Sequence, residues 1–156
     1  MHGYRILGLD PAPFERYWRM DETSLQEHGA RRVVADDDRG YPCRISLQDA
    51  CCGEPVLLLN WPHHDVASHY RASGPIFVRQ VREPAELRNR VPDSFLRRQL
   101  SLRAYSAAGD MLAADTLPGG DLEAAIEAFL ADREVAYLHA HNARRGCYAA
   151  RIERIR

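Results

Sequence analysis

A chain of 156 residues with 46% apolar and 28% charged residues lies within the range of a single globular domain. Its formal charge of −1 excludes the broad electrostatic pull that brings basic domains to nucleic acid or anionic membranes, so neither is expected as a partner. At this length about 70% of the unfolded surface is buried on folding, so no metal or disulfide staple is needed for stability.

Tyr4–Leu9 alternates apolar and polar residues and predicts a strand, stopped by Asp10-Pro11. Phe14, Tyr17 and Trp18 share one helical face within Pro13–Met20, and Asp21 or Thr23 caps a second short helix running to His28 and closed by Gly29. Arg31–Ala35 reads as a strand, Asp36–Gly40 as a polar turn, and Tyr41–Leu47 as a strand entered through Pro42. Pro55–Trp61 is an apolar strand, residues 62–74 a long loop, and Ile76–Val81 a strand introduced by Gly74-Pro75.

Pro84–Arg90 and Pro92–Gln99 each carry proline in the first turn and predict short helices. Leu100–Ser106 and Met111–Leu117 form a hairpin around Gly109-Asp110. Leu122–Ala131 is the clearest helix, with Asp121 as N-cap and an apolar stripe of Leu122, Ile126, Phe129 and Leu130. Val135–Asn142 and Cys147–Ile155 make a last hairpin across Ala143–Gly146. No repeat or linker interrupts this order. Residues 1–156 therefore read as one α+β domain, a mainly antiparallel sheet with several short helices and one longer helix over 121–131.

The longest apolar run, Val56–Leu59, is far shorter than the about 20 residues of a membrane span. Met1–Pro11 lacks the apolar core of a signal peptide, so a cytoplasmic location is expected. Cys43, Cys51, Cys52 and Cys147 form no Cys-x-x-Cys and are read as free thiols. All 21 basic residues are arginine, which excludes Schiff-base and phosphate-binding lysine chemistry and leaves guanidinium as the only fixed cation for an anion site.

The chemically richest run is Tyr137-Leu-His-Ala-His-Asn142. If extended, it places Tyr137, His139 and His141 on one face, with the two imidazoles about 6.6 Å apart along the backbone and directed toward an open concavity. Paired histidines suit general acid–base work, so His139 and His141 are the candidate catalytic residues. They also suit a divalent metal such as zinc, with a third ligand from His63, His64 or His69, Asp65 or Cys147; no metal or other cofactor is assigned.

Arg44, Arg71, Arg79, Arg103 and Arg151 fall in or beside strands, where a guanidinium needs a carboxylate, a carbonyl or a ligand anion. Cys43 and Cys147 have basic neighbours, which favour the thiolate.

The runs GARRVVAD, GYPCR, YRASGPIFVR, LSLRAY and AYLHAHNARRGCYAARIER resemble the bacterial proteins grouped as domain of unknown function family 1203. The resemblance spans nearly the whole chain and implies a bacterial origin; it carries over no activity and no catalytic residues. The reading that results is a site for a small anionic ligand, as a binder or an enzyme. His139 and His141 act in it, and Asn142, Arg44, Arg79, Tyr70, Arg71, Cys43 and Cys147 surround the ligand. The alternative is a non-enzymatic binding or interaction module. Both monomer and homodimer are compatible with the sequence.

Overall fold

A computed structural model describes residues 3–156; Met1 and His2, where the signal-peptide reading begins, lie outside the described residues. Its strands are β1 (Tyr4–Leu7), β2 (Ala30–Val34), β3 (Pro55–His64), β4 (Ala72–Arg79), β5 (Glu86–Arg88), β6 (Gln99–Tyr105), β7 (Met111–Pro118), β8 (Tyr137–Asn142) and β9 (Tyr148–Arg154). Its helices are α1 (Glu15–Trp18), α2 (Glu22–Glu27), α3 (Asp93–Leu96) and α4 (Leu122–Leu130). The strands form a six-stranded sheet in the order β5-β1-β9-β8-β6-β7 and a three-stranded sheet in the order β2-β3-β4. Every named strand pair is antiparallel, as an α+β chain of hairpins requires.

The period-2 pattern of the central strands decides how the larger sheet is used. Leu100, Leu102 and Ala104 of β6, Leu138 and Ala140 of β8, and Ala150 and Ile152 of β9 are buried in one cluster with Leu122, Ile126 and Leu130 of α4. Helix α4 thus covers one face of the sheet. Its entry is a 3-10 turn over Gly119–Asp121, and Asp121 makes no side-chain cap, contrary to the expected N-cap. Its exit is closed by Arg154, whose guanidinium gathers the carbonyls of Leu130, Asp132 and Val135.

The smaller sheet buries Leu57, Leu59, Ile76 and Val78 against Phe14, Tyr17 and Leu25 of the N-terminal helices. Asp21 caps α2 through the Ser24 N–H at 2.8 Å, and Gly29 (φ 69°) ends that helical segment in the left-handed region, as the sequence predicts.

Four expected elements differ. Glu86–Arg88, within the predicted helix Pro84–Arg90, is a strand, because it supplies the hydrogen-bonding edge of β1 through Arg5↔Arg88 and Leu7↔Glu86. Tyr41–Leu47 is not a strand. It is a loop pinned by two isolated bridges, with Leu47 at φ 58° and Cys43 Sγ accepting the N–H groups of Ile45, Ser46 and Arg79. The predicted loop at 62–74 is shorter than expected, since β3 runs on to His64 and β4 begins at Ala72. The helix expected over Pro92–Gln99 is a single turn, and Gln99 already opens β6.

Candidate functional site

The face of the larger sheet opposite α4 is polar and aromatic. Cross-strand register sets Ser101↔His141, Arg103↔His139 and Tyr105↔Tyr137 between β6 and β8, and His139↔Arg151 between β8 and β9. A β-bulge at Ala140/His141 gives β9 one extra residue, so His141 faces Tyr148 rather than Ala149. That insertion brings the Tyr148 ring onto the histidine face, 5.0 Å from His139 and 5.8 Å from His141.

A second bulge, in β3 between Trp61 and His64, has a parallel effect. Neighbouring strand residues normally point to opposite faces. With the bulge, both His63 and His64 turn toward β8, and their rings lie 6.5 and 5.1 Å from that of His139. The two consecutive histidines then take different roles.

His64 is fully satisfied. Its Nδ1–H donates to the Tyr70 carbonyl at 2.7 Å, and its Nε2 accepts from the Tyr137 hydroxyl at 2.6 Å. His63 is not: its Nδ1 is buried without a partner, as are Nδ1 of His139 and Nε2 of His141. His141 donates from Nδ1 to the Gly146 carbonyl at 2.9 Å, which fixes the tautomer with a lone pair on Nε2. His63, His139 and His141 each offer a nitrogen within 4.8 Å of the other two.

These imidazoles are neutral in the fold. Burial, assisted by the neighbouring imidazoles of His64 and His141 and by the positive charge of Arg151, pushes His139 down to about 2. Burial pushes His141 down to about 4, with Arg103 and His63 assisting against the Gly146 hydrogen bond, and pushes His63 to about 4, helped by His64 and Arg103. Burial also pushes the Tyr148 hydroxyl up, keeping it protonated. Arg103 donates to Ser101 Oγ at 3.3 Å and pairs with no carboxylate among the described residues. Arg151 stacks over the Tyr137 ring at 4.0 Å and binds Glu153.

Neutral imidazole nitrogens with free lone pairs are the donor set of zinc-type ions. Two nitrogens on a tetrahedral zinc sit about 3.4 Å apart, so the 4.8 Å set needs only a small contraction to close on an ion. Without a ligand, each orphaned buried nitrogen costs about 1–3 kcal/mol.

The structure therefore brings two of the three candidate third histidines, His63 and His64, to His139 and His141, and of these two only His63 keeps an unpartnered nitrogen. His69 is exposed in the loop after β3, and Asp65 is exposed and paired with Arg71 at 3.1 Å. The rings do not face an open concavity as expected. His139 and His141 are 2% and 1% exposed, because the end of β3 packs over β8; half-buried His63 and Arg103 mark the side nearer solvent.

The remaining candidates divide. Arg44, Asn142 and Cys147 line a separate cleft of about 710 Å³, described below. Arg79 is occupied by Glu54 at 2.6 Å, Arg71 lies on the surface, and Tyr70 contributes a carbonyl while its side chain is 44% exposed. Cys43 is a buried acceptor for backbone N–H groups.

Sequence reasoning overlooked Tyr148, which only the β9 bulge brings in, and the site use of Arg103, whose sole signal is its strand parity. A family model described as "Protein of unknown function (DUF1203)" matches residues 40–154. No curated protein and no solved structure matches the chain.

Proposed function

The chain belongs to this family, whose description assigns no chemistry, and we propose from its geometry that it is a metal-dependent protein acting on a small anionic molecule. The metal ligands are His63, His139 and His141. The carrying observation is that two buried imidazoles and a half-buried one, all neutral, each present a buried nitrogen with no protein partner and converge from two sheets. Three protein ligands leave a fourth position for water or substrate, the arrangement of catalytic rather than closed structural zinc sites. A bound ion would supply Lewis acidity. The chain supplies three uncharged donors, the Gly146 carbonyl that orients His141, the Tyr148 ring stacked on His63, and a nearby cation in Arg103 to draw an anion in.

The test is metal binding by purified protein at pH 7.5. Cobalt(II) should give visible absorption at one equivalent and zinc should displace it. His139→Gln or His141→Gln should abolish the signal while circular dichroism stays unchanged. Absence of binding at micromolar metal, or full binding by both variants, refutes the centre. The second reading, a non-enzymatic interaction module, is favoured by the burial of His139 and His141 away from solvent; it predicts metal binding without turnover of any small ester, amide or phosphoester. Among the described residues no helix is long and apolar enough to cross a membrane. A bacterial, cytoplasmic protein, monomeric or homodimeric, fits this reading.

A further inference from the structure

A second feature stands apart from the histidine layer. The cleft of about 710 Å³ is bounded by the Asp36–Pro42 turn, the end of α3 and the turn joining β8 to β9. None of the three candidate metal ligands lines it. Arg39, Arg44, Arg97, Arg98, Arg144 and Arg145 do.

Their compensation is incomplete. Asp49 holds Arg97 and Arg98 at 2.6 and 2.7 Å. Among the described residues no carboxylate pairs with Arg39, Arg44, Arg144 or Arg145. The two lining carboxylates are turned to other tasks. Asp36 accepts from the Tyr41 hydroxyl, and Asp37 accepts from the N–H groups of Arg39 and Gly40.

Arg44 is the most telling of these residues. It is 2% exposed, and burial disfavours its charge with no carboxylate to offset the cost. Its Nε–H donates to the Tyr148 carbonyl at 2.7 Å and Nη1 to the Pro42 carbonyl, so the fork is held rigidly at the cleft floor with donors to spare. A pre-oriented guanidinium of this kind recognises a planar or tetrahedral oxyanion in bidentate fashion.

Part of the lining is apolar. Tyr41 and Phe77 lie ring to ring at 5.1 Å, and Leu96 is 50% exposed beside them. Several uncompensated cations next to an aromatic and aliphatic wall call for a ligand with two parts. One carries at least two negative charges, more than a single carboxylate offers, and the other is planar and apolar. The volume falls within the usual range of small-molecule sites.

We propose that this cleft binds a phosphorylated small molecule of nucleotide size, its phosphate on Arg44, Arg144 and Arg145 and its apolar body on Tyr41, Phe77 and Leu96. The site is independent of the metal centre, separated from it by the Tyr148 backbone that Arg44 grips.

The experiment is calorimetric titration at fixed ionic strength in EDTA, using adenosine 5′-monophosphate, inorganic phosphate, adenosine and succinate. The monophosphate should bind saturably at one site, inorganic phosphate more weakly, and adenosine and succinate weakest. Arg144→Ala with Arg145→Ala, on an exposed turn where folding is not at risk, should weaken the monophosphate by at least about tenfold. Tyr41→Ala should weaken the monophosphate and leave inorganic phosphate unchanged, and His139→Gln should leave both unchanged. No saturable binding up to about 10 mM, equal affinity in the double arginine variant, or succinate binding as tightly as phosphate each overturns the assignment. Loss of binding in His139→Gln overturns the independence of the two sites.

Discussion

Acidification is the sharpest perturbation of the histidine layer. His139 and His141 hold values of about 2 and about 4 in the fold, against 6.5 for the free side chain. Between pH 6.5 and about 4 the unfolded chain therefore binds protons that the folded chain refuses, and stability falls as pH falls. From pH 7 to pH 5 this amounts to about 2 kcal/mol per imidazole, or about 4 kcal/mol for the two, with the less buried His63 adding a smaller share. A domain of this size has about 5–15 kcal/mol in total. The loss is fully present only near the lower folded values, but most of it falls in a window above the carboxylate range, so acid titration of Asp and Glu does not mimic it. The assay is urea unfolding of EDTA-treated protein at pH 7.0, 6.0 and 5.0. With a slope of about 2 kcal/mol/M, the midpoint should drop by about 2 M. The double variant His139→Gln with His141→Gln should lose most of that pH dependence. A midpoint moving by less than about 0.5 M in the native sequence would show that the imidazoles are not held neutral, and the argument for a metal donor set would go with it.

Three further outcomes follow from packing. Gly119→Ala places a Cβ 1.8 Å from the Phe95 carbonyl oxygen, which requires backbone movement; the expected loss is about 3 kcal/mol, or about 10 °C in Tm, whereas Gly120→Ala, with open space around its Cβ, should change little. Arg154→Gln removes charge-assisted bonds to the carbonyls closing α4 and should cost about 2–3 kcal/mol by chemical denaturation, with protection lost first at the end of α4 in hydrogen exchange. A thiol reagent should modify the exposed Cys51 and Cys52 quickly in native protein and reach buried Cys43 only after unfolding; fast modification of Cys43 would contradict its place beneath the Ile45, Ser46 and Arg79 amides.

The period of two in Tyr137–Asn142 is enough to place the tyrosine and both histidines on a common face, because β8 keeps an unbroken register against β6. The third histidine was not readable. Choosing His63 over His64 depends on a bulge in β3 and on the Tyr137 and Tyr70 oxygens that occupy His64, and none of these is a local property of Trp-Pro-His-His. Depth was missed for a related reason: whether a strand face meets solvent or another sheet is decided by tertiary packing, not by its own alternation. Proline in the first turn of Pro84–Arg90 points to a helix by local propensity, and that expectation fails because the open edge of β1 takes Glu86–Arg88 as a strand. The arginine cleft draws on three separate turns, so most of its members look like ordinary surface residues in sequence. Arg44, Asn142 and Cys147 stand out in sequence as candidate ligand contacts, but nothing local separates them from the histidine face or joins them to Arg144-Arg145.

The bulge in β3 and the register of β8 have a kinetic implication. The donor nitrogens come from different sheets, and the neighbouring His64–Tyr137 bond already joins residues 73 positions apart. No hairpin can assemble the set alone, and the long loop must close before the donors meet. Uptake of the proposed ion should consequently lag behind the appearance of strand structure during refolding and coincide with docking of the two sheets, which would make it a timer for the last tertiary step of this chain.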